Sequence, residues 1–287
     1  MKISRSVERI LKTIYVILGA GALTPIILIA IVSVSSDGSM LSRGYSFLPD
    51  SYSLDAYRYM IDHRAYIGHS FLLSIILTLC GTVLSLTLIS TMAYVMSHRD
   101  FRYGKLYTAL ILIPMFFSGG LAATYAVNVQ LYGLKDTFWT LLLPEACSGW
   151  YILVMRTYFR QSIPEETVGA ARMDGASTLR IFTDIVLPMS KPIMVTVGLL
   201  KALNYWNSWY YAMLYISSNR KDLFPLQYVL YSLQKDVEFM ANADAISGAV
   251  MADPPSESFR MAVTVLLILP VIFISPLFRK LSVRVEK

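Results

Sequence analysis

The chain alternates long apolar runs with polar segments, and the lengths of the apolar runs decide the reading. They fall at about Thr13 to Ser35, His69 to Met96, Leu106 to Gln130, Thr137 to Phe159, Ile193 to Ile216 and Phe259 to Phe278. Each is close to the roughly 20 residues that cross a hydrocarbon core of about 30 Å as a helix. The pattern predicts an all-α chain, one membrane domain over residues 1–287 with six transmembrane helices. The first run follows Lys2, Arg5, Arg9 and Lys12 and is too long for a signal-peptide core, so it reads as a retained span with a kink at Pro25. The third holds Pro114 and Gly119-Gly120 and is expected to be bent or locally unwound, which is tolerated where a helix faces protein or a water-filled cavity. The last carries Pro270 and Pro276 in its second half.

The polar segments differ in character. Residues 36–66 are mixed in charge and contain FLPDSYSLDAYRYM; a short amphipathic helix is expected from Asp55, with Ser53 as its cap. A turn at Tyr132 to Asp136 joins the third and fourth runs. Residues 217–258 form a second long polar stretch, with Phe224-Pro225-Leu226-Gln227-Tyr228 and Pro254-Pro255.

The segment 160–192 keeps helical periodicity and charge without a spanning apolar run. Ser162 followed three residues later by Glu165 reads as a capping box, with Pro164 in the first turn. Good helix formers continue to Met173, Asp174-Gly175 interrupts as a turn, and a second helix is expected from Ser177. Leu179, Phe182, Ile185 and Val186 would share its apolar face, and Pro188 and Pro192 would end it. A structured helix-turn-helix and a plain interfacial connector both fit this periodicity.

Composition agrees with a membrane reading: 55% of the residues are apolar and 15% charged. The net charge of +6 does not indicate nucleic acid, because the basic residues are spread along the chain and form no stripe interleaved with aromatics. Their distribution over alternate polar segments is uneven, sixteen Lys and Arg on the side of the N-terminus against eight on the other, with Lys201 inside a span. This asymmetry predicts that both termini and the 160–192 segment are cytoplasmic. Cys80 and Cys147 both fall within spans and predict no disulfide framework, and His63, His69 and His98 lack metal-ligand spacing.

No stretch matches G-x-x-x-x-G-K-[ST], so ATP-driven work would need another subunit; no nucleophile elbow, carboxylate pair or metal box supports an enzyme. Glu145 and Lys201 are ionisable groups inside spans. They are costly in hydrocarbon and must face a path, an interface or one another. The fifth run carries Asn204-Tyr205-Trp206-Asn207-Ser208-Trp209-Tyr210-Tyr211. It reads either as an interfacial aromatic belt or as a sugar-contacting wall. On helical spacing Lys201, Asn204, Ser208 and Tyr211 share one face and Trp206, Trp209 and Tyr210 another; the first group, with Glu145, is the candidate substrate path.

Ala170-Ala171, Asp174-Gly175, Leu187-Pro188 and Lys191-Pro192, in that spacing, resemble the cytoplasmic-loop signature of sugar-type permeases of binding-protein-dependent ABC importers. Phe47-Leu48-Pro49 with Ser53-Leu54-Asp55-Ala56-Tyr57 resembles their first external loop, and the aromatic run with Phe224 to Leu230 resembles the branch that handles complex oligosaccharides. The resemblance implies a type I ABC importer permease fold in a bacterial inner or cytoplasmic membrane. It implies a second homologous permease, a cytoplasmic ATPase dimer holding ATP and Mg, and an external sugar-binding protein; this chain itself needs no cofactor or metal. Glu165, Glu166, Gly169, Ala170, Ala171, Asp174, Gly175, Leu187 and Pro188 would then couple to the ATPase. Gly169 stands where the family's triplet has glutamate, and Glu165 or Glu166, one turn away, is the expected substitute. The tail after Phe278 is shorter than in related permeases and lacks their glycine. A proton-coupled carrier using Glu145 and Lys201 and a non-transporting scaffold remain the alternatives.

Overall fold

The computed structural model describes residues 5–98, 101–235 and 257–285. The expected features at Lys2, Arg99, Pro254-Pro255, Glu286 and Lys287 lie outside these residues. The described residues are helical almost throughout, and their only β pairing is an isolated antiparallel bridge between Ser35 and Tyr52. The helices are α1 (Arg5–Val32), α2 (Asp37–Arg43), α3 (Asp55–Asp62), α4 (Arg64–Ser97), α5 (Gly104–Phe116), α6 (Leu121–Leu131), α7 (Phe138–Ala146) and α8 (Gly149–Ser162). There follow α9 (Glu165–Met173), α10 (Thr178–Met189), α11 (Lys191–Trp206), α12 (Tyr210–Tyr215), α13 (226–235) and α14 (Glu257–Val285).

Among the described residues two stretches, Val7–Val32 and Arg64–Ser97, are each long and apolar enough to cross a bilayer, and three bent helix pairs raise that number to at most five. The stretch expected as a sixth span lies within the 29-residue α14. The bends have local causes. Phe117 is extended and Gly120 takes φ +83 at the start of α6, which turns α5 and α6 through 116°. The Gly119-Gly120 break therefore redirects the chain, and Pro114 stays inside α5. Cys147 and Ser148 are extended between α7 and α8, which meet at 45°.

The chain forms two compact units. The first, residues 1–67 with 229–270, is organised by hydroxyl caps: Ser36 accepts from the Ser39 N–H and meets Ser51 Oγ at 2.5 Å, and Ser39 Oγ accepts from the Asp50 N–H at 2.8 Å. Tyr45 donates to Glu257 (2.8 Å) and Ser258 to Asp37 (3.0 Å), which fastens the start of α14 to this segment. The cap of α3 is Leu54 and not Ser53, although Ser53 Oγ does accept the Asp55 N–H at 3.0 Å. The apolar window of α1 buries none of its residues within the chain, as expected of a helix that is hydrophobic all round and presented to lipid or another subunit.

The second unit, residues 68–228 with 271–287, has a core from α4 (Ile89, Ala93, Tyr94, Met96), α8 (Ile152, Met155, Phe159), α10 (Ile181, Phe182, Val186) and α11 (Val197). Higher in the same unit, Tyr205 of α11 is 1% exposed and donates to the Leu142 carbonyl of α7 at 2.8 Å. Its ring lies directly against Gly81 of α4, where any Cβ would land on the ring atoms. At one end of the unit, Asp136 adopts φ +57, a region that Asp and Asn tolerate. Its carboxylate accepts from the Ser217 N–H (2.5 Å) and hydroxyl (2.8 Å), its N–H donates to the Tyr215 carbonyl (3.1 Å), and Arg220 donates to its own carbonyl (3.2 Å). This clasp ties the turn before α7 to the end of α12.

Two outcomes follow. Gly81→Ala forces a methyl onto a ring that is pinned and cannot retreat, and is expected to cost about 1–3 kcal/mol, read as a lower unfolding midpoint of the solubilised protein. The Ser217 N–H, above all, holds the Asp136 carboxyl below its ordinary range, against a smaller opposing effect of desolvation. A carboxyl depressed on folding contributes stability above its unfolded value, about 3.9, and loses it as pH falls through the folded value. Asp136→Asn, which keeps the backbone comfortable, should therefore lower the unfolding midpoint at pH 7, and the gap from the parent protein should close below about pH 4.

Candidate functional site

The polar side of the bend between α7 and α8 faces α11. The last carbonyls of α7 have no helical partner, and Lys201 reaches them: its ammonium donates to the Glu145 carbonyl and, at 3.0 Å, to Glu145 Oε1. A cation at a helix C-terminus is also favoured by the helix dipole. The Tyr151 and Tyr205 rings stand 5.6 and 5.4 Å from the ammonium and complete its surroundings. Asn204, one turn on, donates to the same Glu145 oxygen at 3.2 Å. Lys201 is 0% exposed and Glu145 26%, so the pair has a buried cationic side and an open anionic side.

That open side lines a cavity of about 360 Å³, within the range of small-molecule sites. Glu145, Leu203, Asn204 and Asn207 line it, together with Ser208, Trp209, Tyr210 and Tyr211. The helix does not run through this sequence. Asn207 folds back on Leu203, its backbone N–H (3.0 Å) and its Nδ2 (2.9 Å) both donating to the Leu203 carbonyl, and α12 restarts only at Tyr210. Tyr210 stands edge-on to Trp209 and Tyr211, at 6.1 and 5.7 Å between ring centres.

The expected path residues are thus partly gathered. Glu145, Asn204, Ser208 and Tyr211 meet at the cavity; Lys201 lies behind the wall. The break at Asn207 is why a continuous helical face mis-sorts the aromatics: Trp206 is buried against Phe71 (5.9 Å, edge-on), while Trp209 and Tyr210 turn to the cavity. Sequence spacing missed Asn207 and Leu203, whose place follows from that break.

The second candidate region is 160–192. Its helix does not start at Ser162, which is the last residue of α8; Ile163 is extended, as a residue before proline tends to be, and Pro164 occupies the cap position of α9 with no side-chain cap. The capping box is absent, and Glu165 and Glu166 sit in the first turn, where the dipole favours them. Asp174, Gly175 and Ala176 donate back to Ala170, Arg172 and Ala171, each at 3.0 Å, which closes α9. Gly175 takes φ +80 with open space around it, so a side chain there is opposed by backbone strain and not by a steric neighbour. Ser177 then caps α10, accepting from the Arg180 N–H at 3.3 Å.

A π-turn over Phe182–Val186 rotates α10, so Ile181, Phe182 and Val186 enter the core, Ile185 packs at its edge and Leu179 is 71% exposed. Pro188 does not end this helix; α10 stops at Ser190, and Pro192 opens α11 after an 82° bend. Ala171 and Leu187 pack on the core, while Ala170, Asp174 and Pro188 are exposed. Glu166 is exposed; Glu165 and Gly169 line a cavity of about 270 Å³ with Tyr94, Phe159, Arg160 and Arg172.

Residues 106–285 match the family described as binding-protein-dependent transport system inner membrane component. The chain is 34% identical over 266 residues to the protein LplC of Bacillus subtilis (strain 168), covering 91% of this chain and 87% of that one. It is 33% identical over 263 residues to the polygalacturonan/rhamnogalacturonan transport system permease protein YtcP of the same organism, covering 89% and 87%. Among solved structures it is similar, with TM-score 0.79 and 31% identity over 98% of this chain and 99% of the other, to a bacterial ABC transporter involved in the import of the acidic polysaccharide alginate. The transmembrane pattern, the turn at Gly175 and these matches lead to one conclusion: the chain belongs to the inner membrane components of binding-protein-dependent transport systems, a family of ABC importer permeases that work with an ATPase and a substrate-binding protein.

Proposed function

We propose that this chain is one of two homologous permeases that together form the pore of an oligosaccharide importer in a bacterial cell membrane, with both termini and the 160–192 segment cytoplasmic. A cytoplasmic ATPase dimer, holding ATP and Mg, engages the turn between α9 and α10, and an external binding protein delivers the sugar. The names of the relatives, a polygalacturonan/rhamnogalacturonan permease and an alginate importer, support a saccharide cargo. The carrying observation is mechanical continuity. The turn at Gly175 leads into α10, whose Ile181, Phe182 and Val186 share a core with α4 and α8; one bend later the chain becomes α11, which carries Asn204 to the polar cavity.

In this reading Glu165, Glu166, Gly169, Ala170, Ala171, Asp174, Gly175, Leu187 and Pro188 form the coupling segment. Glu165 supplies the carboxylate that Gly169 lacks, since both line one cavity. Met173 and Leu179, 89% and 71% exposed, are the apolar tip that the ATPase covers. ATPase closure moves α9 and α10 as a block, because their inner face is packed and cannot slide independently, and α11 transmits that movement to the cavity wall. Glu145, Asn204, Ser208 and Tyr211 contact sugar there: aromatic faces stack on the rings, and amide, hydroxyl and carboxylate groups bond their hydroxyls. Lys201 acts here as a structural peg and not as a proton relay, a reading supported by its enclosed ammonium and its two bonds to Glu145.

Gly175→Val should cut transport at least tenfold in vesicles carrying the assembled complex, with Gly175→Asn much milder because Asn tolerates positive φ; equal transport by the two variants would remove the turn from the coupling pathway. Uptake of labelled oligosaccharide should require ATP on the cytoplasmic side and survive collapse of the proton gradient; the opposite result would favour the carrier, and no uptake the scaffold. Lys201→Met, which strands the Glu145 carboxylate, should destabilise the protein by about 3–5 kcal/mol in thermal or denaturant unfolding, and adding Glu145→Gln should recover much of that loss.

A further inference from the structure

We infer that the cavity bounded by Glu145, Asn204 and Asn207 selects uncharged sugar units and disfavours uronates, an inference that rests on reading this cavity as part of the sugar path. Glu145 receives Lys201 and Asn204 on Oε1, which leaves Oε2 without a donor among the described residues. Asn204 gives one of its two amide N–H groups to Glu145 and Asn207 one of its two to the Leu203 carbonyl, so each keeps an N–H to donate and an oxygen to accept. The amides therefore do not discriminate by ligand charge, and the formal charge that borders the cavity is the Glu145 carboxylate.

An ionised carboxylate has no proton to give and can only accept, whereas a sugar hydroxyl donates one and accepts at the same oxygen. Neutral rings can satisfy the Glu145 and Asn oxygens with their O–H groups. A uronate carboxylate placed beside Glu145 would bring a second negative charge to an oxygen that can only accept. The cation that balances Glu145 does not help it: Lys201 is enclosed behind the wall with its donors directed at the Glu145 carbonyl and carboxylate. No Lys, Arg or His is among the described residues that line the cavity. Trp209, Tyr210 and Tyr211, which also line the cavity, give stacking surface and hydroxyls, which do not depend on substrate charge.

The test compares pairs of ligands in which the uronate charge is masked: oligogalacturonides and alginate oligomers as carboxylates, each beside its methyl ester. The intact transporter in nanodiscs is titrated without the binding protein, reading the fluorescence change that Trp209→Phe abolishes. The inference expects each ester to act at a concentration at least tenfold below that of its acid at pH 7, with the preference weakened or reversed in the charge-swapped Glu145→Lys/Lys201→Glu variant. Should that variant fail to fold, the comparison in the parent protein decides alone. An acid that binds as well as its ester, or better, overturns the charge selectivity and leaves the sugar path intact. No Trp209 response to any ligand overturns the sugar-path reading and the selectivity with it.

Discussion

The architecture of the second unit depends on how the broken α7–α8 segment is satisfied. A helix that stops inside an apolar bundle leaves carbonyls that water cannot reach, and each would cost several kcal/mol if abandoned. Here α11 supplies the partners: Lys201 takes the Glu145 carbonyl and carboxylate, and Tyr205 takes the Leu142 carbonyl. The close approach this requires is possible because Gly81 of α4 offers no side chain behind the Tyr205 ring. The ion pair, the tyrosine and the glycine are thus one joint holding three helices, and a lone lysine in an apolar stretch becomes intelligible as its pin.

That joint stands at one end of α11; the other end begins at the 82° bend after α10. Between them, Val197 packs into the same core as Ile181 and Val186. An interior packed to crystal-like density transmits displacement instead of absorbing it, and this packing is the route that the proposed coupling from the turn at Gly175 to the cavity would use. The open region near Gly169 is the contrast: it is the part of α9 that the core does not fill, where contact with another subunit has room to form.

Much of this was legible in the sequence, and the failures have a common cause. Gly175, Ser177 and the Gly119-Gly120 break declared themselves because glycine and small hydroxyl residues act on the backbone locally. The capping box at Ser162 misled because a stronger constraint, Pro164 forcing Ile163 out of helix, lies between the two members of the motif. A 3.6-residue period puts Leu179 on one apolar face with Phe182, Ile185 and Val186, but the π-turn after Ile181 adds a residue to the turn and changes which side chains face inward. Glu145 and Lys201 were recognisable as costly, yet only the fold makes them partners, 56 residues apart.

The cavity teaches the same point in a different way. No proline or glycine interrupts Asn204 to Tyr211, so periodicity carries the helix straight through. The ladder ends at Asn207, whose backbone N–H and Nδ2 share the Leu203 carbonyl, and the next N–H, that of Ser208, turns to the Tyr205 carbonyl at 3.2 Å, three residues back instead of four. Residues 207–209 then have unwound backbone, which a membrane protein tolerates only where it is buried in protein or lines a polar cavity. The geometry satisfies that condition, since Asn207, Ser208 and Trp209 all border the cavity. The local irregularity and the candidate site therefore have a single origin: the residue at which the helix ends also lines the cavity.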